Sequence, residues 1–203
     1  MVYNNRINIS RRLIAGALLL SLLAFMSIMI AKFAHADATQ CSLTMTVGGD
    51  TTSYNLDSVT AAIASANASA DANTTSVIKI NSSDVCVLTE TQTITKNITI
   101  NKGSAAGTIK RMSAFTMFRV EQGATLRFED ITVDGNNQSG NIVYVAGGNF
   151  VLDGSTSKIT GCANTNTAVP TNVASATGGP GTIFVGSVSN GEGSFTMSEG
   201  TII

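Results

Sequence analysis

Three segments in the second half of the chain repeat one pattern. Phe115 to Asn137 reads FTMFRVEQGATLRFEDITVDGNN, Asn141 to Asn164 reads NIVYVAGGNFVLDGSTSKITGCAN, and Gly181 to Ile203 reads GTIFVGSVSNGEGSFTMSEGTII. Each is a short apolar strand, a glycine-bearing turn, a second alternating strand, another turn and a third strand. A unit of roughly 20–25 residues cannot bury its apolar face alone and must stack on a copy of itself. Alternation sends every second side chain to one face of a strand. Leu126 with Phe128, then Ile131 with Val133, share the inward face of the first unit. Val143 with Val145 and Phe150 with Leu152 do so in the second, and Ile183 with Val185 and Phe195 with Met197 in the third. The apolar set keeps its place from copy to copy, so the expected architecture is an all-β solenoid with nearest-neighbour cooperativity.

The N-terminus predicts export. Arg6, Arg11 and Arg12 precede an apolar stretch from Leu13 to Ile30, and Ala34-His35-Ala36 is an A-x-A site, so residues 1–36 read as a signal peptide cut before Asp37. The alternative is an uncleaved anchor, because this stretch, at 1.5 Å per residue, spans about 27 Å as a helix. In both cases the arginines stay inside and the remainder is exported, to the cell surface or beyond. Four of the 12 Lys/Arg and none of the 13 Asp/Glu fall in that leader, which leaves 8 bases against 13 acids. With no basic cluster to neutralise phosphates, nucleic acid is not an expected partner. Three cysteines remain. Cys41 with Cys86 is a candidate disulfide, tying the N-terminal segment to the first coil in an export-permissive setting. Buried free thiols are the alternative, and Cys162 has no evident partner.

Residues 37–76 read as an N-terminal strand, Cys41 to Val47, and a helix from Ser58 to about Ala70. Asp57 is its expected N-cap, and Val59, Ala62, Ile63 and Ala66 lie on one face. Residues 77–203 read as strands only, in short runs at Val77–Ile80, Val85–Leu88, Gln92–Thr95 and Asn97–Ile100, leading into the repeats. The polar stretch from Ala163 to Pro180 is expected to project as a loop. A solenoid's open ends recruit other chains, and the helix has the character to cover the N-terminal one. The chain halts inside the third strand of a repeat, as expected of a fragment of a longer protein or of a chain that pairs with a partner there.

Thr93-Ile94-Thr95-Lys96-Asn97-Ile98-Thr99-Ile100, Val120-Glu121-Gln122-Gly123-Ala124-Thr125-Leu126 and Asp130-Ile131-Thr132-Val133-Asp134-Gly135-Asn136 resemble bacterial exported right-handed parallel β-helix proteins of the pectate-lyase-like superfamily. The likeness is greater to adhesin-like cell-surface members with short Gly-Gly-turn repeats, and the Ala-rich helix is similar to the N-terminal cap of such helices. The resemblance covers about Asp57 to Ile203. It implies a right-handed parallel β-helix with a capping α-helix and a surface, adhesive or scaffolding role. The partners it implies are host or environmental glycans or proteins, with envelope attachment through a C-terminal region not in this chain. It also implies an alternative, a polysaccharide lyase, hydrolase or carbohydrate-binding β-helix.

The chemistry is sparse. The one histidine, His35, leaves with the leader, which removes histidine triads, histidine-ligated zinc and histidine acid–base work from the exported chain. No cofactor and no catalytic residue is expected. Glu129, Asp130, Asp134 and Asp153 are the candidates for an acidic ledge that binds Ca²⁺ through oxygen ligands. Paired with Arg127 the same ledge would grip a uronic-acid sugar, as the resemblance to lyases implies. Against this, Asp134-Gly135-Asn136 and Asp153-Gly154 are ordinary turn formers. Thr91, Thr93 and Thr95 face one way, the beginning of a threonine ladder or plain β propensity. A glycan-binding surface needs exposed aromatics, and Tyr144 is the candidate, with one ring on its face.

Overall fold

The computed structural model describes residues 41–48, 58–69, 74–81, 85–104, 107–165, 179–188 and 191–203. The leader at 1–36 and most of the loop at 163–180 lie outside the described residues. Among the described residues no helix is long and apolar enough to cross a membrane.

The chain winds through three parallel sheets, one strand to each sheet per coil. The A sheet takes β2 (Ser76–Ile80), β5 (Ile98–Lys102), β8 (Thr125–Glu129), β11 (Asn149–Asp153) and β15 (Ser194–Met197). The B sheet takes β3 (Val85–Leu88), β6 (Thr108–Arg111), β9 (Thr132–Gln138), β12 (Lys158–Cys162) and β16 (Thr201–Ile202). The C sheet takes β4 (Gln92–Ile94), β7 (Phe118–Glu121), β10 (Val143–Ala146) and β13 (Ile183–Val188), and β14 (Gly191–Glu192) folds back on β13 as a short antiparallel ribbon. The molecule is therefore a β-solenoid. Its coils begin before the three repeats that the sequence displays: β4, β5 and β6 form an earlier unit of the same order, and β2 and β3 precede it.

Register carries the periodicity into the core. Ile78, Ile100, Phe128 and Leu152 lie opposite one another in turn along the A sheet, and so do Ile98, Leu126, Phe150 and Phe195. Leu126, Phe128, Ile131, Val133, Val143, Val145, Phe150 and Leu152 are all buried. The rings of Phe118, Phe128, Phe150 and Phe195 run as one column, with successive centroids 5.1, 5.1 and 5.4 Å apart. The first two contacts are edge-on and the last is stacked, both favourable arrangements of aromatic quadrupoles. Val185 and Met197 keep the expected register with Val145 and Leu152. Yet they are 38% and 44% exposed, where Val145 and Leu152 are fully buried. No coil among the described residues lies over them.

At the other end the strand β1 (Leu43–Val47) pairs antiparallel with β2, occupying the edge of the A sheet. The helix α1 (Val59–Asn67) buries Val59, Ala62, Ile63 and Ala66 and contacts β2, β3 and β4, the first parallel strand of each sheet. Ser58 is its N-cap, accepting a hydrogen bond from Ala61 N at 3.0 Å; the expected cap, Asp57, lies outside the described residues. Asn67 satisfies the free edge of β4: its Nδ2 donates to Thr93 O at 2.7 Å and its Oδ1 accepts from Thr95 N at 3.0 Å. Cys41 and Cys86 form a disulfide with Cα atoms 5.0 Å apart, joining the segment before β1 to β3.

Corners are made by backbone that leaves no room for side chains. A Cβ on Gly148, between β10 and β11, would sit 2.3 Å from Glu121 O of the coil below. Gly154, after β11, adopts φ +86° with Asp130 just beneath it. Phe150→Ala is expected to destabilise the fold by about 3–5 kcal/mol, because it empties the middle of the ring column; urea unfolding followed by far-UV circular dichroism measures this.

Candidate functional site

The candidate carboxylates sit along the A–B corner and on the outer face of the B sheet, and three of them join one coil to the next. Arg127 of β8 pairs with Asp153 of β11. Lys102 of β5 pairs with Asp130, after β8, at 3.8 Å, and Lys110 of β6 pairs with Asp134 of β9 at 3.3 Å. Each base belongs to the preceding coil and each acid to the following one. The sequence separations are 26, 28 and 24 residues, one coil in each case. Glu129 lies in register between Asn101 and Asp153 on the outer face of the A sheet. Among the described residues no three Asp, Glu, Cys or His side chains gather to hold a metal ion. The pairs are partly exposed, and those of Arg127 with Asp153 and Lys110 with Asp134 contribute about 0–1 kcal/mol each.

Asp130 carries further ties. Its Oδ1 accepts from Thr156 Oγ1 at 2.8 Å and Thr156 N at 3.1 Å, across one coil. Those hydrogen bonds, with Lys102 beside them, hold its carboxyl below the usual aspartate range. Asp134-Gly135-Asn136, expected as a turn between strands, lies inside β9. Local turn geometry is present all the same: Asn136 N donates to Asp134 Oδ1 at 2.7 Å, and Asn136 and Asn137 adopt φ of 54° and 52°. The strand bends there, and its pairing with β12 shifts between Thr160 and Cys162.

Tyr144 is not an exposed ring. It is fully buried, with the Arg119 guanidinium 5.0 Å from its centroid and Phe184 stacked on it at 5.3 Å. Burial raises the pKa of its phenol above the ordinary value. Arg119, Tyr144 and Phe184 are register neighbours above Thr93, so that column is a cation–aromatic stack and not a threonine ladder. A face that alternation marks as outward is here packed as a second, lateral core.

The largest feature that the sequence did not reveal lies where the B sheet passes to the C sheet. Arg111, at the end of β6, is fully buried. Its Nε donates to Gly135 O at 2.9 Å, and Nη1 donates to Asn141 O at 3.3 Å and to Phe115 O. Nη2 donates to Gln138 O. One planar cation thus gathers the carbonyls of two successive corners. Burial lowers its pKa, opposed by the Cys162 thiol and the Asp134 carboxylate. The Cys162 thiol is free and donates to Gly140 O at 3.4 Å, in the same corner. Asn141 extends the brace upward, with Nδ2 on Gly181 O at 2.6 Å and Oδ1 receiving Gly179 N at 2.8 Å. A cavity of about 540 Å³ opens over this corner, lined chiefly by Thr91, Thr116, Ser139, Asn141, Asn164 and Thr165. A smaller one of about 290 Å³ lies on the A sheet beside Thr99 and Arg127.

No family model, curated protein or solved structure matches the chain.

Arg111→Met is expected to destabilise the fold by about 2–6 kcal/mol, since Gly135 O and Phe115 O lose their partner at about 1–3 kcal/mol each, while Asn141 O and Gln138 O keep Met117 N and Ala163 N. Arg111→Lys should recover only part, because an ammonium lacks the planar fork; urea midpoints measure both. Asp130 has a lowered folded-state pKa, so its stabilisation is present above the unfolded value of about 3.9 and is lost as pH falls through the folded one. Melting temperatures of wild type and Asp130→Asn should therefore differ near neutrality and converge in acid; a gap that persists at low pH contradicts the assignment.

Proposed function

We propose that the protein is an exported, surface-associated β-solenoid with an adhesive or scaffolding role, of the adhesin-like kind within the pectate-lyase-like superfamily that its sequence resembles. In this reading the coils are right-handed and α1 serves as the lid of the N-terminal end. Its partners are glycans or proteins of a host or of the environment. The observation that carries the reading is the use of the charged side chains. Arg127 with Asp153, Lys102 with Asp130 and Lys110 with Asp134 tie coil to coil, and Arg111 is spent on backbone carbonyls. Four of the groups that would do acid–base or sugar-gripping work, Arg127, Asp130, Asp134 and Asp153, are engaged between coils. Rigid stacks of this kind present extended lateral surfaces, on which recognition is carried by strand faces and corner loops.

The test is surface display of the full chain in a bacterial host. Antibody should label intact cells, mature protein should begin at Asp37, and displaying cells should adhere to glycan- or protein-coated surfaces more than cells lacking the gene. Protein that stays inside with Met1 at its N-terminus, or labelled cells that adhere no better than controls, would count against the reading.

A further inference from the structure

We propose that the cavity at the B–C corner is a binding site for a neutral saccharide; the inference names the ligand class and the site for the adhesive reading, and rests on it. The lining decides the chemistry. Thr91, Ser139 and Thr165 are exposed hydroxyl side chains, and Asn141, Asn164 and Thr116 are more deeply set. Each hydroxyl both donates and accepts, the pattern that a polyol's own hydroxyls match. Among the described residues no charged side chain lines the cavity. The nearest buried cation, Arg111, directs its hydrogen bonds to carbonyls of the chain itself, so a ligand carboxylate or phosphate would be stripped of water without a direct counter-ion. The half-buried Phe115 and the exposed Ala114 add an apolar patch, suited to the C–H face of a sugar ring.

The site is also preformed. Arg111 fixes the carbonyls of Phe115 and Asn141, two of the lining residues. Asn164 Nδ2 donates to Gly179 O at 2.9 Å and Gly181 O at 2.8 Å, and Asn141 binds the same glycines. Walls held in this way lose little freedom when a ligand arrives. The volume of about 540 Å³ lies within the range of small-molecule sites. Ser139 faces solvent at the rim, so a large side chain there fills the space without entering the core.

The experiment prints neutral and acidic oligosaccharides on one array and probes it with the exported full chain, with Ser139→Trp, and with Thr91→Trp at a second lining position. Thermal unfolding verifies that each variant keeps the wild-type fold, and the second variant stands in if the first does not. The expected result is retention of one or more neutral glycans, at least about tenfold weaker in a filled-cavity variant. Binding that survives both substitutions overturns the site, while leaving the adhesive reading standing. An array on which only acidic glycans bind, or none, overturns the ligand class. Adhesion of cells displaying Ser139→Trp separates the two proposals, since loss of sugar binding with adhesion retained places adhesion on another face.

Discussion

Everything in this fold depends on strands pairing in parallel from one coil to the next, in a register that shifts only where β9 bends against β12 among the described residues. A single coil has three strands too short to be stable and an apolar face with nothing opposite it. Stacking solves both at once: backbone groups of β5 are satisfied by β2 and β8, and Ile100 is covered by Ile78 and Phe128. A slip of one residue would turn Phe150 outward and bring Asn149 or Val151 into the ring column, so the core itself enforces the register. Val185 and Met197 display the same dependence in reverse, since they stay exposed where no described coil covers them although they occupy the places of buried residues.

Charge reinforces register more than it adds stability. Three base-to-acid pairs run in one direction along the stack, and each is partly open to water. Each joins a base of one coil to an acid of the next, so opposite charges meet when the coils are aligned. The buried Arg111 acts differently. A guanidinium can serve several carbonyls in one plane: here it takes Gly135 O and Phe115 O, and adds a second donor to Asn141 O and Gln138 O, which also accept from Met117 N and Ala163 N. One side chain thereby fixes two corners and shapes the depression above them.

The architecture was legible because alternation repeats at the scale of a coil. Phe128, Phe150 and Phe195 declared themselves by position in the repeat, and Val59, Ala62, Ile63 and Ala66 by helical spacing. The earlier unit from β4 to β6 was harder to see, since its strands are short and polar on the outer face. The ion pairs carried a signal that was open to reading, because acids follow bases by one coil length. Nothing marked Tyr144 as buried: alternation tells which face a side chain takes, not whether Phe184 and Arg119 will close over it. Arg111 was equally silent, since a lone arginine at a strand end reads as a surface residue until the corners around it are folded.

The central claim is that equivalent coils stack in one register, and a distance measured along one column tests it most directly. Val77, Thr99, Arg127, Val151 and Thr196 are successive register neighbours on the outer face of the A sheet. Spin labels on Val77→Cys with Thr196→Cys, in a Cys162→Ser background, should report a narrow distribution. Relative to a Thr99→Cys with Thr196→Cys pair, its centre should lie longer by one strand spacing, about 4.8 Å. A broad distribution, or two pairs whose separations do not differ by that single step, would contradict the stack.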